Sequence, residues 1–214
     1  MKKPLFRGLF HLFAVITYIQ LFPLLYEMIP IELLFPLTIY LSAVILNFGC
    51  SALFHIIPWP KDINILMRRL DHIIIFIKIL ATYYAIIKTI FININYLVIC
   101  TVIFGSIIGI LLRIFYTNAP KIVIGIPYVI MGWAILLDTE VLIVTMYRSP
   151  KAYILMFIGG LSYTLGAIFY ILKYPKLCPK YFGSHELLHL LSIVGTMSFT
   201  LCIFFHGIPH YQSI

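Results

Sequence analysis

Charge is scarce in this chain. Of 214 residues, 10% are Asp, Glu, Lys or Arg, seven are acidic, and 63% are hydrophobic. A soluble globular domain carries about 25% charged and roughly 45–50% apolar residues, so no water-facing surface can be built here. The chain also lacks any hydrophilic stretch long enough for an extramembrane domain, any low-complexity linker and any fixed-period repeat. A single membrane domain over residues 1–214 is expected. Cys50, Cys100, Cys178 and Cys202 show no C-x-x-C spacing, which argues against a thiolate zinc site or a redox motif. Buried free thiols are the simpler expectation, with a Cys100–Cys202 disulfide as the alternative. No small-x-small cleavage site precedes Glu27, so the first apolar run reads as a retained span rather than a signal peptide.

What the chain has in abundance is apolar runs of membrane length, about 20 residues each. They cover 5–26, 33–57, 70–90, 94–115, 122–144, 153–172 and 186–206. Helices rather than a barrel follow from their continuity, because lipid-facing backbone must satisfy itself internally. The expected fold is therefore all-α, a seven-transmembrane helical bundle. The net charge of +8 is distributed by side. Lys2, Lys3, Arg7, Lys61, Arg68, Arg69, Arg113, Lys121, Lys173, Lys176 and Lys180 share one side, eleven in all, against Lys88, Arg148 and Lys151 on the other. Cytoplasmic loops collect Lys and Arg. The N-terminus is expected in the cytoplasm and the C-terminus outside, and the basic charge needs no nucleic acid.

Ionisable groups inside a membrane are costly and each needs a reason. The second span ends CSALFHIIPWP, with Ser51 and His55 four apart on one face. The third opens RRLDHIIIF, with Asp71 expected in its first turn. The last opens SHELLHLL, with His185 and His189 on one face. All three clusters fall at the same depth on the side assigned as cytoplasmic. Each has a plainer explanation: an interfacial histidine for His55, an acidic first-turn residue opposing the helix dipole for Asp71, and close helix packing for Ser51. Together they describe a catalytic zinc site of three histidines with an open position for water, and a carboxylate able to manage a proton. Other polar residues fit less well. Asp138 and Glu140 are expected to solvate the outer end of the fifth span. Lys88 and Arg113 reach the interface, and Lys78 snorkels or pairs with an acid. His72 is not expected to face the site together with Asp71, because adjacent residues diverge by about 100°. His206 and His210 lie too far toward the outer side to share a metal.

The combination of SALFH, LDHIIIFIKILATYYA, GGLSYTLGAIFY and FGSHELLHLLSIVG resembles the hemolysin III branch of the progestin and adipoQ receptor family, which includes adiponectin receptor-like proteins. The similarity covers nearly the whole chain, including RGLFH at its start. It implies a seven-helix fold with a cytoplasmic N-terminus. It further implies zinc (Zn2+) on His55, His185 and His189, with Asp71 close to the metal and Ser51 as a supporting hydroxyl. The implied activity is hydrolysis of a lipid amide, ceramidase-like, with a membrane lipid as substrate. The chain has no long N-terminal extension of the receptor kind, and its compact form looks like the bacterial branch, in an inner (plasma) membrane.

Three functions are open on the sequence. The first is a zinc-dependent membrane hydrolase using Asp71 and Ser51. The second is a membrane metalloprotease reading His185-Glu186-x-x-His189 as H-E-x-x-H with Glu186 as base, although no N-x-P-D-G-like segment adds a ligand. The third is a non-enzymatic receptor or a pore-forming, hemolysin-like protein with structural zinc. A retinal protein is disfavoured, since the last span has no lysine.

Overall fold

A computed structural model describes residues 6, 8–91, 93–116, 120–175 and 182–212. The chain forms α1 (Leu9–Glu27), a 3-10 turn (Ile31–Leu33), α2 (Leu34–Ile56), α3 (Lys61–Thr89) and α4 (Tyr96–Phe115). Then follow α5 (Lys121–Gly132), a second 3-10 turn (Ala134–Leu137), α6 (Thr139–Arg148), α7 (Pro150–Leu172) and α8 (Ser184–Cys202). A π-helical segment (Ile203–Gly207) and the short α9 (Ile208–Gln212) complete it. Among the described residues six helices are long and apolar enough to cross a membrane. They match six of the seven expected spans.

The remaining span, expected over 122–144, is broken. Pro127 lies inside α5, and the helix stops at Gly132 after 12 residues. Trp133 then leads into the 3-10 turn. A helix-interior proline removes a backbone donor, and glycine is a poor helix residue, so this apolar run lacks the local preferences of a single continuous helix. Hydrogen bonds tie this passage to its neighbours. The Tyr128 hydroxyl donates to the His72 carbonyl at 3.0 Å, and the Tyr83 hydroxyl donates to the Met131 carbonyl at 2.8 Å. At the far end the Asp138 carboxylate accepts from the Asn95 amide at 2.7 Å. Twelve α-helical and four 3-10 residues rise by about 26 Å.

Asp138 is buried, contrary to the solvating role expected of it. One carboxylate oxygen caps α6 by accepting from the Val141 amide at 3.1 Å, and the other holds the chain that enters α4. An acid is retained there because it satisfies two backbone donors that neither helix start can satisfy itself.

The α2–α3 connection fixes one end of the site. Pro58 and Pro60 forbid helix continuation: Ile57 is extended, and α3 restarts at Lys61 after Pro60. The Trp59 indole donates back to the Leu53 carbonyl at 3.0 Å, covering the end of α2. Helix α3 begins nine residues before the expected boundary of 70. Asp62, not Asp71, therefore holds the first-turn acidic position. Asp71 is deep in the helix, where opposing the helix dipole does not account for it.

The core lies between α1, α2, α3 and α8. Tyr18 and Tyr40 both place their hydroxyls 2.7 Å from Thr200 Oγ1. Thr200 spends its proton on the Thr196 carbonyl, so both tyrosines donate to it. Cys202 is buried in this core and Cys100 is exposed; both are free thiols, as is Cys50. Cys178 lies outside the described residues.

Candidate metal centre

Two helix ends bring three imidazoles together. His55 sits in the last turn of α2, while His185 and His189 share a face of the first turns of α8. One ring nitrogen from each lies within 4.8 Å of the others. His55 Nε2 and His185 Nε2 stand 3.2 Å apart. Two nitrogens bound tetrahedrally to one zinc at 2.0–2.1 Å would be roughly 3.3 Å apart. The donor set and its spacing fit a nitrogen-liganded divalent metal. Asp71 is not a member of this ligand group.

A hydrogen-bonded chain behind His189 sets which of its nitrogens can serve as ligand. The Ser192 hydroxyl donates to the His189 carbonyl at 2.8 Å. Its oxygen, 3.0 Å from His11 Nε2, can then only accept a proton from that nitrogen. His11 Nδ1 is left with a lone pair, facing His189 Nδ1 at 2.8 Å. His189 Nδ1 also lies 3.0 Å from His11 Nε2, so the contact is shared along one ring edge. With its Nδ1 proton directed at His11, His189 presents the Nε2 lone pair to a metal. Holding the second ring nitrogen of a ligand histidine in this way fixes tautomer and ring orientation. His11 is buried. Nothing but its place in an apolar helix signalled it, in the RGLFH segment at the start of α1.

Gly8, just ahead of α1, permits α1 to approach α2. Its φ is 89°, and a Cβ there would lie 2.9 Å from both His55 Cβ and Ile56 Cγ1. Only glycine takes this backbone conformation without strain and leaves room for His55.

The Asp71 group stands in the same cavity. The Ser51 hydroxyl hydrogen-bonds the Asp71 carboxylate, and the Arg113 guanidinium is its nearby cationic neighbour. Arg113 is buried and hydrogen-bonded to Tyr128 rather than reaching the interface as its position near a helix end suggested. His72 faces the site with Asp71 after all: its Nδ1 lies 3.6 Å from the carboxylate and donates to the Arg68 carbonyl at 2.6 Å. The i−4 carbonyl draws the His72 ring along the helix toward its neighbour, overcoming the 100° separation.

Glu186 is placed elsewhere. It is wholly buried, and its Oε2 accepts from the Gly183 amide at 2.8 Å, closing the start of α8. It is not among the residues that line the cavity. The adjacency that makes H-E-x-x-H in the sequence therefore does not bring the glutamate to the imidazoles. His206 is also absent from the cavity wall, and the side chain of His210 is outside the described residues.

The cavity measures about 940 Å3. His55, His185, His189, Ser51 and Asp71 line one end, and the wall beyond is mostly aliphatic and aromatic. Such a space suits a ligand with a hydrocarbon body and one polar reacting group.

A family model described as "Haemolysin-III related" matches residues 1–200. Hemolysin-3 of Bacillus cereus is 27% identical over 173 residues, covering 80% of this chain and 75% of that protein. The Hemolysin-3 homolog of Bacillus subtilis (strain 168) is 26% identical over 175 residues, covering 79% and 76%.

Proposed function

The chain belongs to the haemolysin-III related family, an integral protein of a bacterial plasma membrane, and from that premise we propose a zinc-dependent hydrolase of a lipid amide, ceramidase-like in chemistry. One observation carries the reading. Three imidazole ligands converge at the end of a large apolar cavity that also holds a serine-bonded carboxylate. His55, His185 and His189 would hold the metal. Bound there, zinc supplies Lewis-acid activation of a carbonyl oxygen and of water.

The chain's own residues do the rest. Asp71 is the proton acceptor, its carboxylate aimed by the Ser51 hydroxyl and kept beside the positive Arg113. The same carboxylate, once protonated, can return the proton to a departing amine nitrogen. The apolar wall binds the hydrocarbon chain and keeps bulk water from the scissile bond. That three-histidine set, with Asp71 outside it, favours an open catalytic site over a four-ligand structural zinc. The position of Glu186 argues against the metalloprotease reading.

The same proposal includes seven crossings in one domain, with the α5 to Leu137 passage as the fifth. The N-terminus lies in the cytoplasm and the C-terminus outside, which puts the imidazoles on the cytoplasmic side. The Lys and Arg asymmetry supports that orientation, and single-cysteine labelling from each side of sealed vesicles tests it.

The function is tested on purified protein with metal analysis and an amide-linked fluorescent lipid. One zinc per chain and amide cleavage are expected. His55→Ala loses both, while Asp71→Asn keeps the metal and loses at least about 100-fold in rate. Bound zinc with no cleavage of any lipid amide would favour the structural alternative.

A further inference from the structure

The metal site does not use the chemistry of Lys78. This lysine lies seven residues beyond Asp71 on α3, two turns and about 10 Å deeper along the same face. Its side chain is 4% exposed and lines the cavity. All seven acidic residues are among those described, yet none is within ion-pair distance of it. Asp71 is engaged with Ser51, Asp138 with two backbone amides at the far end, and Glu186 with Gly183. The ammonium has only neutral company. It donates to the Tyr163 hydroxyl at 3.0 Å and to Thr196 Oγ1 at 3.4 Å. It also stands 4.7 Å from the Tyr163 ring centroid and 5.5 Å from that of Phe48.

These contacts account for two of its three donor protons. They do not neutralise a charge withdrawn from water, which costs several kcal/mol unless an opposite charge answers it. Nor can the lysine reach solvent by extending, because Nζ is fixed by α7 and α8. The site is held rigidly: a Cβ on Gly195 would meet the Tyr163 ring at 2.8 Å, so glycine lets the phenol seat against α8. Beyond Lys78 the cavity continues through Ile79, Ile86, Phe91, Trp133, Met156 and Phe157. A cation thus stands at the mouth of an apolar compartment, separate from the three histidines.

We propose that Lys78, held in place by the Tyr163 hydroxyl that accepts from it and donates to Thr196 Oγ1, binds the carboxylate of a single-chain amphiphile whose hydrocarbon tail fills the compartment between α3, α5 and α7. A single ammonium with one free proton matches one monoanionic head. The site does not depend on the hydrolase reading, since none of its groups is a metal ligand or the Asp71–Ser51 pair.

Fluorescence decides the matter. The chain has two tryptophans, Trp59 and Trp133, and Trp133 lines the compartment. Trp59→Phe leaves Trp133 as the sole emitter. Titration of this protein in nanodiscs with a chain-brominated long-chain fatty acid should give saturable quenching. The brominated methyl ester and brominated phosphatidylglycerol should quench at least tenfold less effectively. Lys78→Met should remove the preference for the acid, and Tyr163→Phe should reduce it. Equal quenching by acid and ester in the Trp59→Phe protein overturns the proposal and needs no lysine variant that might fail to fold. Stronger quenching by the phospholipid, or an undiminished acid preference in Lys78→Met, overturns it too.

Discussion

His11 Nδ1 faces His189 Nδ1 at 2.8 Å, joining α1 to α8 across 178 residues of sequence. If that contact holds the His189 tautomer, His11→Ala should leave the fold intact and weaken metal affinity by about 10–100-fold. His11→Asn, which can still accept from Nδ1–H, should restore part of it. Competition with a chromogenic chelator measures both.

Gly8→Ala is expected to be costly for two independent reasons: its φ of 89° and the 2.9 Å approach to His55 Cβ. A loss of about 1–3 kcal/mol is expected from strain of this kind. Thermal unfolding in detergent should show it, and metal content should fall in parallel because the atom displaced belongs to a ligand.

Asp138→Ala should lower stability by roughly 1–2 kcal/mol, since it uncaps α6 and strands the Asn95 amide. It should leave metal content unchanged. A loss of metal in this variant would mean that the two ends of the bundle are coupled more tightly than their separation implies.

Glu186→Gln separates the two readings of H-E-x-x-H. With the carboxylate bonded to the Gly183 amide, the substitution should leave metal binding and amide hydrolysis within severalfold of the parent. Abolished hydrolysis with full metal occupancy would restore Glu186 as the base.

Metal removal should lower the unfolding temperature, because a ligand that binds only the folded chain stabilises it by about 2.7 kcal/mol at 100 times its Kd. His185→Ala should unfold at the same temperature with or without chelator. Differential scanning fluorimetry gives the comparison directly.

The histidines were legible because an apolar helix punishes chance: His185 and His189 at i, i+4 and His55 before a proline turn have few other uses. Six spans were legible from apolar length alone. The break after Gly132 was not, because a hydropathy profile scores the run over 122–144 as continuous and is blind to its Pro127 and Gly132. Asp71 was singled out in the sequence but placed in the wrong turn, since the amphipathic stretch Lys61–Leu70 extends α3 beyond its apolar portion. His11 and Arg113 were missed as site residues. Each had one visible signal, an ionisable group in an apolar helix, and their partners depend on helix rotations that sequence spacing does not determine. His72 shows the limit of helical-wheel reasoning, because a carbonyl contact turned its ring toward Asp71.

The contact between residues 11 and 189 also orders events in the life of the chain. Helices enter the membrane from the N-terminal end during synthesis, so α1 and α2 wait for α8 before any imidazole set exists. Metal uptake by the proposed site would then be a late maturation step. An assembly intermediate that stalls before α8 has, from these ligands, one histidine and its helper. In a cell, retained metal would report that the whole polypeptide has been inserted, acting as a built-in certificate of completion.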